Sequence, residues 1–99
     1  LLNPSLVSFI ELPDGYEIAE LKTPPNIANR TLADINLRNK YKLNLITLKR
    51  MFEKTINGAE VTETHILGVP ASETVILPTD TIIVFGTIKD IERFIEINQ

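Results

Sequence analysis

Apolar and polar positions alternate along this chain with two different periods, and each period predicts a different element. From Tyr16 to Thr23 the apolar members are Tyr16, Ile18 and Leu21, which reads as a strand whose alternation slips after Ala19. The mostly apolar residues 1–12 precede it and run into Pro13-Asp14-Gly15, a turn signal. Pro24-Pro25 closes the strand, because proline cannot donate to a ladder. Thr31 and Asp34 then have capping-box spacing, with Asp in place of the usual Glu, and a short helix is expected over roughly 31–40. Leu43 to Leu48 is nearly all apolar, broken by Asn44 and Thr47. A run of that kind suits a strand covered on both faces.

Asn57-Gly58 is the strongest local signal. Both residues tolerate positive φ, as a two-residue type I′ turn requires. Pairing outward from it sets Ile56 against Ala59, Lys54 against Val61, Phe52 against Glu63 and Arg50 near His65. The result is a long hairpin with a largely polar outer part, expected to project into solvent. Pro70 and Ser72 mark a loop, and Thr74–Leu77 is a short apolar segment ending at Pro78. Thr81 to Phe85 reads as another buried strand, stopped by Gly86. Thr87 and Asp90 repeat the capping-box spacing, and Ile88, Ile91, Phe94 and Ile95 recur at helical intervals, which predicts an amphipathic helix over 88–97. The order of elements fits an α+β sandwich built on a small mixed sheet, with no internal repeat.

Length and charge narrow the picture. The 99 residues support a single domain, taken here as 1–99, with a modest stability margin. At 43% hydrophobic and 23% charged, the chain has the composition of a globular domain and not of a disordered segment. The net charge of −3 lacks the surplus of Lys and Arg that counterion-releasing DNA or RNA binding needs. No apolar run reaches the ~18–20 residues of a membrane-spanning helix. The start, Leu1-Leu2-Asn3-Pro4, has no basic segment or cleavage pattern, and the only Met is Met51, which suggests a piece of a longer protein.

Candidate chemistry is sparse. The absence of cysteine removes thiolate nucleophiles, disulfides and zinc–thiolate sites together. His65 is the single histidine and reads as an exposed cross-strand neighbour, so no histidine metal cluster is expected. No serine sits in a nucleophile elbow, and Glu53, Glu60 and Glu63 around the hairpin turn read as a solvated strand face. Asp34 and Asp90 read as helix-start residues, and the glycines are scattered turn positions without a phosphate loop. No enzyme, cofactor or metal is expected. The segment Leu32–Ile46 is the exception to this bland pattern. It sets Arg38 and Asn44 among Leu32, Leu37, Tyr41, Leu43 and Ile46, a composition common in ligand pockets, and an amide within an apolar strand needs partners.

The stretches NRTLADINLRNKYKLNLITLKR (29–50) and VPASETVILPTDTIIVFG (69–86), with the closing DIERFI (90–95), resemble the C-terminal domain of RCK proteins, the TrkA-C domain. The preceding DGYEIAELKTP fits the family's first strand, so the resemblance covers roughly residues 6–97. It implies a TrkA-C-like fold and a homodimer at the cytoplasmic face of the membrane, attached to the rest of a potassium or other cation transporter. It also implies a ligand at the dimer interface that changes gating, which in several bacterial transporters is cyclic di-AMP. By position, Arg38 and Asn44 match the family's ligand-side arginine and asparagine, Leu32 and Leu37 match apolar members, and Pro70 matches a proline opening the later loop; Ile46, from the apolar cluster itself, is added to the expected site. Two features stand apart from the family pattern: a longer hairpin at 49–66, and Lys42 where a glycine is customary. Two other readings remain open at this stage. One is a purely structural dimerisation module without a ligand, the other a non-catalytic fragment of an enzyme.

Overall fold

The computed structural model describes residues 4–99. Strands β1 (Leu6–Glu11), β2 (Tyr16–Lys22), β4 (Asn44–Ile56), β5 (Ala59–Ile66) and β7 (Thr81–Thr87) form a five-stranded sheet in the order β1-β2-β7-β4-β5. A two-residue ribbon pairs β3 (Arg30–Thr31) with β6 (Val75–Ile76). Helical turns α1 (Leu32–Ile35) and α2 (Leu37–Tyr41) and helix α3 (Ile88–Ile97) complete the domain. The architecture is α+β, as expected. The sheet expected to be mixed is antiparallel in every pairing among the described residues.

The core forms where one face of the sheet meets the helices. Ala19 and Leu21 of β2, Leu48 of β4 and Ile82 and Val84 of β7 are buried against Ile35, Leu37, Tyr41, Ile91, Phe94 and Ile95. The helix expected over 88–97 is α3, and its apolar stripe of Ile91, Phe94 and Ile95 is what the sheet covers. Thr87 caps it by accepting from the Asp90 N–H at 3.1 Å, satisfying one of the orphan amides of its first turn. At the other end Asn98, fully buried, accepts from the Asn26 backbone N–H at 3.1 Å and from the Asn26 side-chain amide at 3.2 Å, which ties the end of α3 to the loop after β2.

Two local expectations change, and one strand is added. The single helix expected over 31–40 is two turns, because Asn36 takes the left-handed conformation (φ 55°, ψ 52°) and interrupts the backbone ladder. The strand at 43–48, expected to be covered on both faces, is covered on one. Leu43 and Leu48 are buried while Asn44 and Ile46 are exposed, because helices pack on only one side of the sheet. The mostly apolar segment before Pro13 contains an edge strand, β1, with Val7, Phe9 and Ile10 exposed.

The hairpin of β4 and β5 pairs Ile56 with Ala59, Lys54 with Val61, Phe52 with Glu63 and Arg50 with His65. Asn57 and Gly58 both have positive φ, at 51° and 80°. The arm accounts for much of the 50 Å long axis of a molecule only 28 × 23 Å across. Its outer part is less polar than expected: Phe52, Ile56 and Val61 share one exposed face. His65 is an exposed neighbour on that face, 5.6 Å from the Phe52 ring centroid and within 3.1 Å of the Glu63 carboxylate.

Candidate ligand site

The site is built from α1, α2, the start of β4 and the loop after β5. Thr31 caps α1 by accepting from the Asp34 N–H at 3.1 Å. Arg30 braces that turn through a 2.7 Å ion pair with Asp34. The left-handed Asn36 then redirects the chain, so that α2 places Leu37 and Tyr41 in the core and Arg38 toward solvent. Tyr41 meets Phe94 of α3 edge-on at 5.0 Å. Arg93 of α3 lies over the Tyr41 ring and donates to the Lys40 carbonyl at 3.0 Å, so α3 fixes the position of α2. Lys42 ends α2 with φ 58°, the left-handed geometry that a glycine would adopt freely. The turn packs tightly on β7. A Cβ built on Gly86 would collide with the Leu43 Cδ2, so a side chain there would have to displace the buried Leu43 side chain.

The loop after β5 closes the other side. Thr47 donates to the Gly68 carbonyl at 2.6 Å, fixing the chain as it leaves the hairpin. Backbone N–H groups of Leu32 and Ala33 donate to the Thr74 and Ser72 carbonyls, each at 2.9 Å, so the loop is stitched to the first turn of α1. Between these elements is an open cavity of about 330 Å³. Five of the six residues singled out in the sequence line it: Leu32, Leu37, Arg38, Asn44 and Pro70. Ile46 does not. The β4–β7 register slips between Leu45 and Thr47, and Ile46 sits at that irregularity, exposed and outside the cavity.

Arg38 and Asn44 are joined, the guanidinium donating to the Asn44 side-chain oxygen at 3.2 Å. Asn44 satisfies its carbonyl this way while exposed at the first position of β4. Arg38 is the one charged residue in the lining, so the cavity is cationic at its polar end and apolar along Leu32, Leu37, Leu45 and Val69. Sequence reasoning missed Ala33, Asn36, Leu45, Val69 and Ser72. Asn36 carried a usable signal, since asparagine is enriched at left-handed positions. Ala33 and Leu45 line the cavity from α1 and β4, and Val69 and Ser72 reach it through the loop's docking on α1. Among the described residues no cluster of His, Cys, Asp and Glu could hold a metal ion, and no helix is long and apolar enough to cross a membrane.

Comparison with known proteins gives this geometry a family. Two curated proteins of Bacillus subtilis (strain 168) align over 94 residues, 95% of this chain: Ktr system potassium uptake protein C at 29% identity and protein A at 27%. The chain spans only 37% of the length of each. Among solved structures, the RCK C domain of the potassium transport protein KtrA, in complex with cyclic diadenosine monophosphate, superimposes with a TM-score of 0.61 at 26% identity, covering 84% of both chains. The GsuK RCK domain superimposes with a TM-score of 0.58 at 22% identity, over 84% of this chain and 16% of that one, a likeness of fold. The TrkA-C domain model matches residues 16–99, from the first residue of β2 through α3, and the chain belongs to the TrkA-C domain family.

Proposed function

We propose that this domain is a ligand-sensing regulatory module of a potassium-uptake system, and that two copies hold cyclic di-AMP between them. The observation that carries the reading is the hydrogen-bonded Arg38–Asn44 pair at the edge of an open, otherwise apolar cavity. The KtrA domain solved with this dinucleotide, similar in fold and 26% identical, supports the choice of ligand. The chain acts as one unit of a longer protein at the cytoplasmic face of the membrane, coupled to the transporter it regulates.

Each part of the cavity has a task in this reading. A phosphodiester is anionic, and a guanidinium meets it with a forked, charge-assisted pair of hydrogen bonds. Asn44 occupies one of the five N–H donors of Arg38 and thereby orients the fork. The Asn44 amide N–H₂ is left to meet a ring nitrogen of adenine. Leu32, Leu37 and Pro70 supply apolar surface for the base faces. The cavity is open on one side, so a second copy closes it, and a two-fold interface suits a two-fold symmetric ligand. Regulation follows from differential affinity: the ligand favours the arrangement of two copies in which both half-sites engage it, and that arrangement biases the transporter. This mode of action needs no catalytic group.

Calorimetry with cyclic di-AMP tests the reading, with AMP and ATP as controls. The expected result is one ligand per two chains, with affinity reduced by roughly 10- to 100-fold or more in the Arg38→Ala/Asn44→Ala variant, as for loss of a charged hydrogen bond. Unchanged binding in that variant would overturn the site, and a one-to-one ratio would overturn the shared interface.

A further inference from the structure

A second cavity, of about 470 Å³, lies between β1 and α3 and shares no lining residue with the one around Arg38. Its apolar wall includes Phe9 of β1 and Ile88 and Ile91 of α3. Four carboxylates stand along it, Glu11, Glu17, Glu92 and Glu96, and the lining contains no Lys or Arg. Local rules oppose this placement twice. Glu11 lies directly opposite Glu17 across the β1–β2 ladder, and like charges at that position repel. Glu92 and Glu96 are four residues apart on α3, the spacing at which like charges also repel. Packing does not call for four acids here, and among the described residues none of the four has an ion-pair or hydrogen-bonding partner.

Glu17 is the decisive member. It is only 6% exposed, its side chain has no partner, and it faces the cavity. Burial, together with the charges of Glu11 and Glu92, pushes its carboxyl above its ordinary pKa. An ionised carboxylate on a nearly buried residue, crowded by two like charges, is costly, and a cation delivered along the groove lowers that cost. The apolar wall selects among cations. Mg²⁺ and Ca²⁺ ask for a shell of oxygens and gain nothing from Phe9 or Ile91. A chain of methylenes bearing several ammonium groups covers the apolar wall with its stem while its charged heads reach the carboxylates, as a lysine side chain does on a protein surface.

We propose that the groove between β1 and α3 binds an aliphatic polyamine, with Glu17 holding the most deeply seated ammonium and Glu11, Glu92 and Glu96 receiving the others. This site is independent of the cyclic di-AMP reading.

Calorimetry on the 99-residue chain tests the proposal, with spermidine as the probe and MgCl₂ and propylamine as controls at matched ionic strength. Spermidine is expected to bind more tightly than either control. Glu17→Gln and Glu92→Gln are each expected to weaken it at least tenfold, while the double variant Glu53→Gln/Glu60→Gln, which removes two charges from the distant hairpin, leaves it unchanged. Methyl resonances of Ile88, Ile91 and Ile95 should shift on titration. Equal binding of spermidine and Mg²⁺, or spermidine binding unaffected by Glu17→Gln, would overturn the site by reducing it to a diffuse counterion effect. Glu92 is exposed, so Glu92→Gln tests the groove without changing a buried position.

Discussion

Replacing Asp80 by asparagine is expected to be among the most damaging single substitutions in this domain. The Asp80 side chain is fully buried and accepts three hydrogen bonds: from Arg50 Nε at 2.8 Å, from Arg50 Nη2 at 2.7 Å, and from the Leu77 backbone N–H at 2.8 Å. Arg50 also donates to the Val75 carbonyl at 2.9 Å, so the pair joins the base of the hairpin to β6 and to the entry of β7. The carboxylate holds the guanidinium pKa above its already high ordinary value. Asparagine keeps the shape but removes the charge and turns N–H₂ donors toward a group that only donates. Breaking a buried ion pair costs ~3–5 kcal/mol, and discounting for partial rehydration of the guanidinium leaves ~2–3 kcal/mol. Arg50 can rehydrate because its side chain is 21% exposed. For a domain of this size that corresponds to a fall in Tm of roughly 8–24 °C. Urea unfolding followed by circular dichroism checks it, with the midpoint expected to fall by about 1–2 M. A loss below about 1 kcal/mol, the ordinary value of a surface pair, would refute the reasoning. Arg50→Met strands the buried carboxylate and should cost at least as much. The double variant Arg50→Met/Asp80→Leu should recover most of the loss, because no buried charge is left unpaired, with a residual cost of ~1 kcal/mol for the orphaned Leu77 N–H.

Two further substitutions test the surroundings of the two cavities. Glu17→Gln should stabilise the domain at neutral pH. The folded-state pKa of Glu17 is raised, so ionising it costs more in the folded domain than in the unfolded chain; that cost is present above the raised pKa and is lost as pH falls from there toward the ordinary carboxyl value. Urea midpoints should accordingly show an advantage for the glutamine variant at pH 7 that shrinks in acid, and a gap constant with pH would contradict this. Lys42→Gly should stabilise by ~0.5–1 kcal/mol, the relief of a left-handed side-chain residue less the extra entropy of glycine when unfolded. Thermal melts would expose an error here if the variant were less stable, since Lys42 would then be contributing a contact that outweighs its backbone cost.

What could be read from the sequence is what nearest neighbours decide. Asn57-Gly58 set the register of the hairpin because a two-residue turn with two positive φ values leaves the flanking strands one way to pair. Thr31 with Asp34 and Thr87 with Asp90 marked two helix starts because the cap is a hydrogen bond across three residues. The apolar period of 88–97 defined α3 and its buried stripe. Four residues of the cavity around Arg38, namely Leu32, Leu37, Arg38 and Asn44, were legible because they lie close together in the chain, whereas Pro70 was reached only through the family resemblance. The tertiary structure alone decided the rest. It let Ile46 fall at the β4–β7 slip and covered β4 on one face only. It docked the 69–74 loop on α1 through backbone hydrogen bonds that carry no side-chain signature. It also gathered Glu11, Glu17, Glu92 and Glu96 from both ends of the chain into one groove. Turns and caps are satisfied within a few residues and so are written locally. Cavities form where segments distant in sequence meet, and their lining is settled only when the sheet and helices close on a common core.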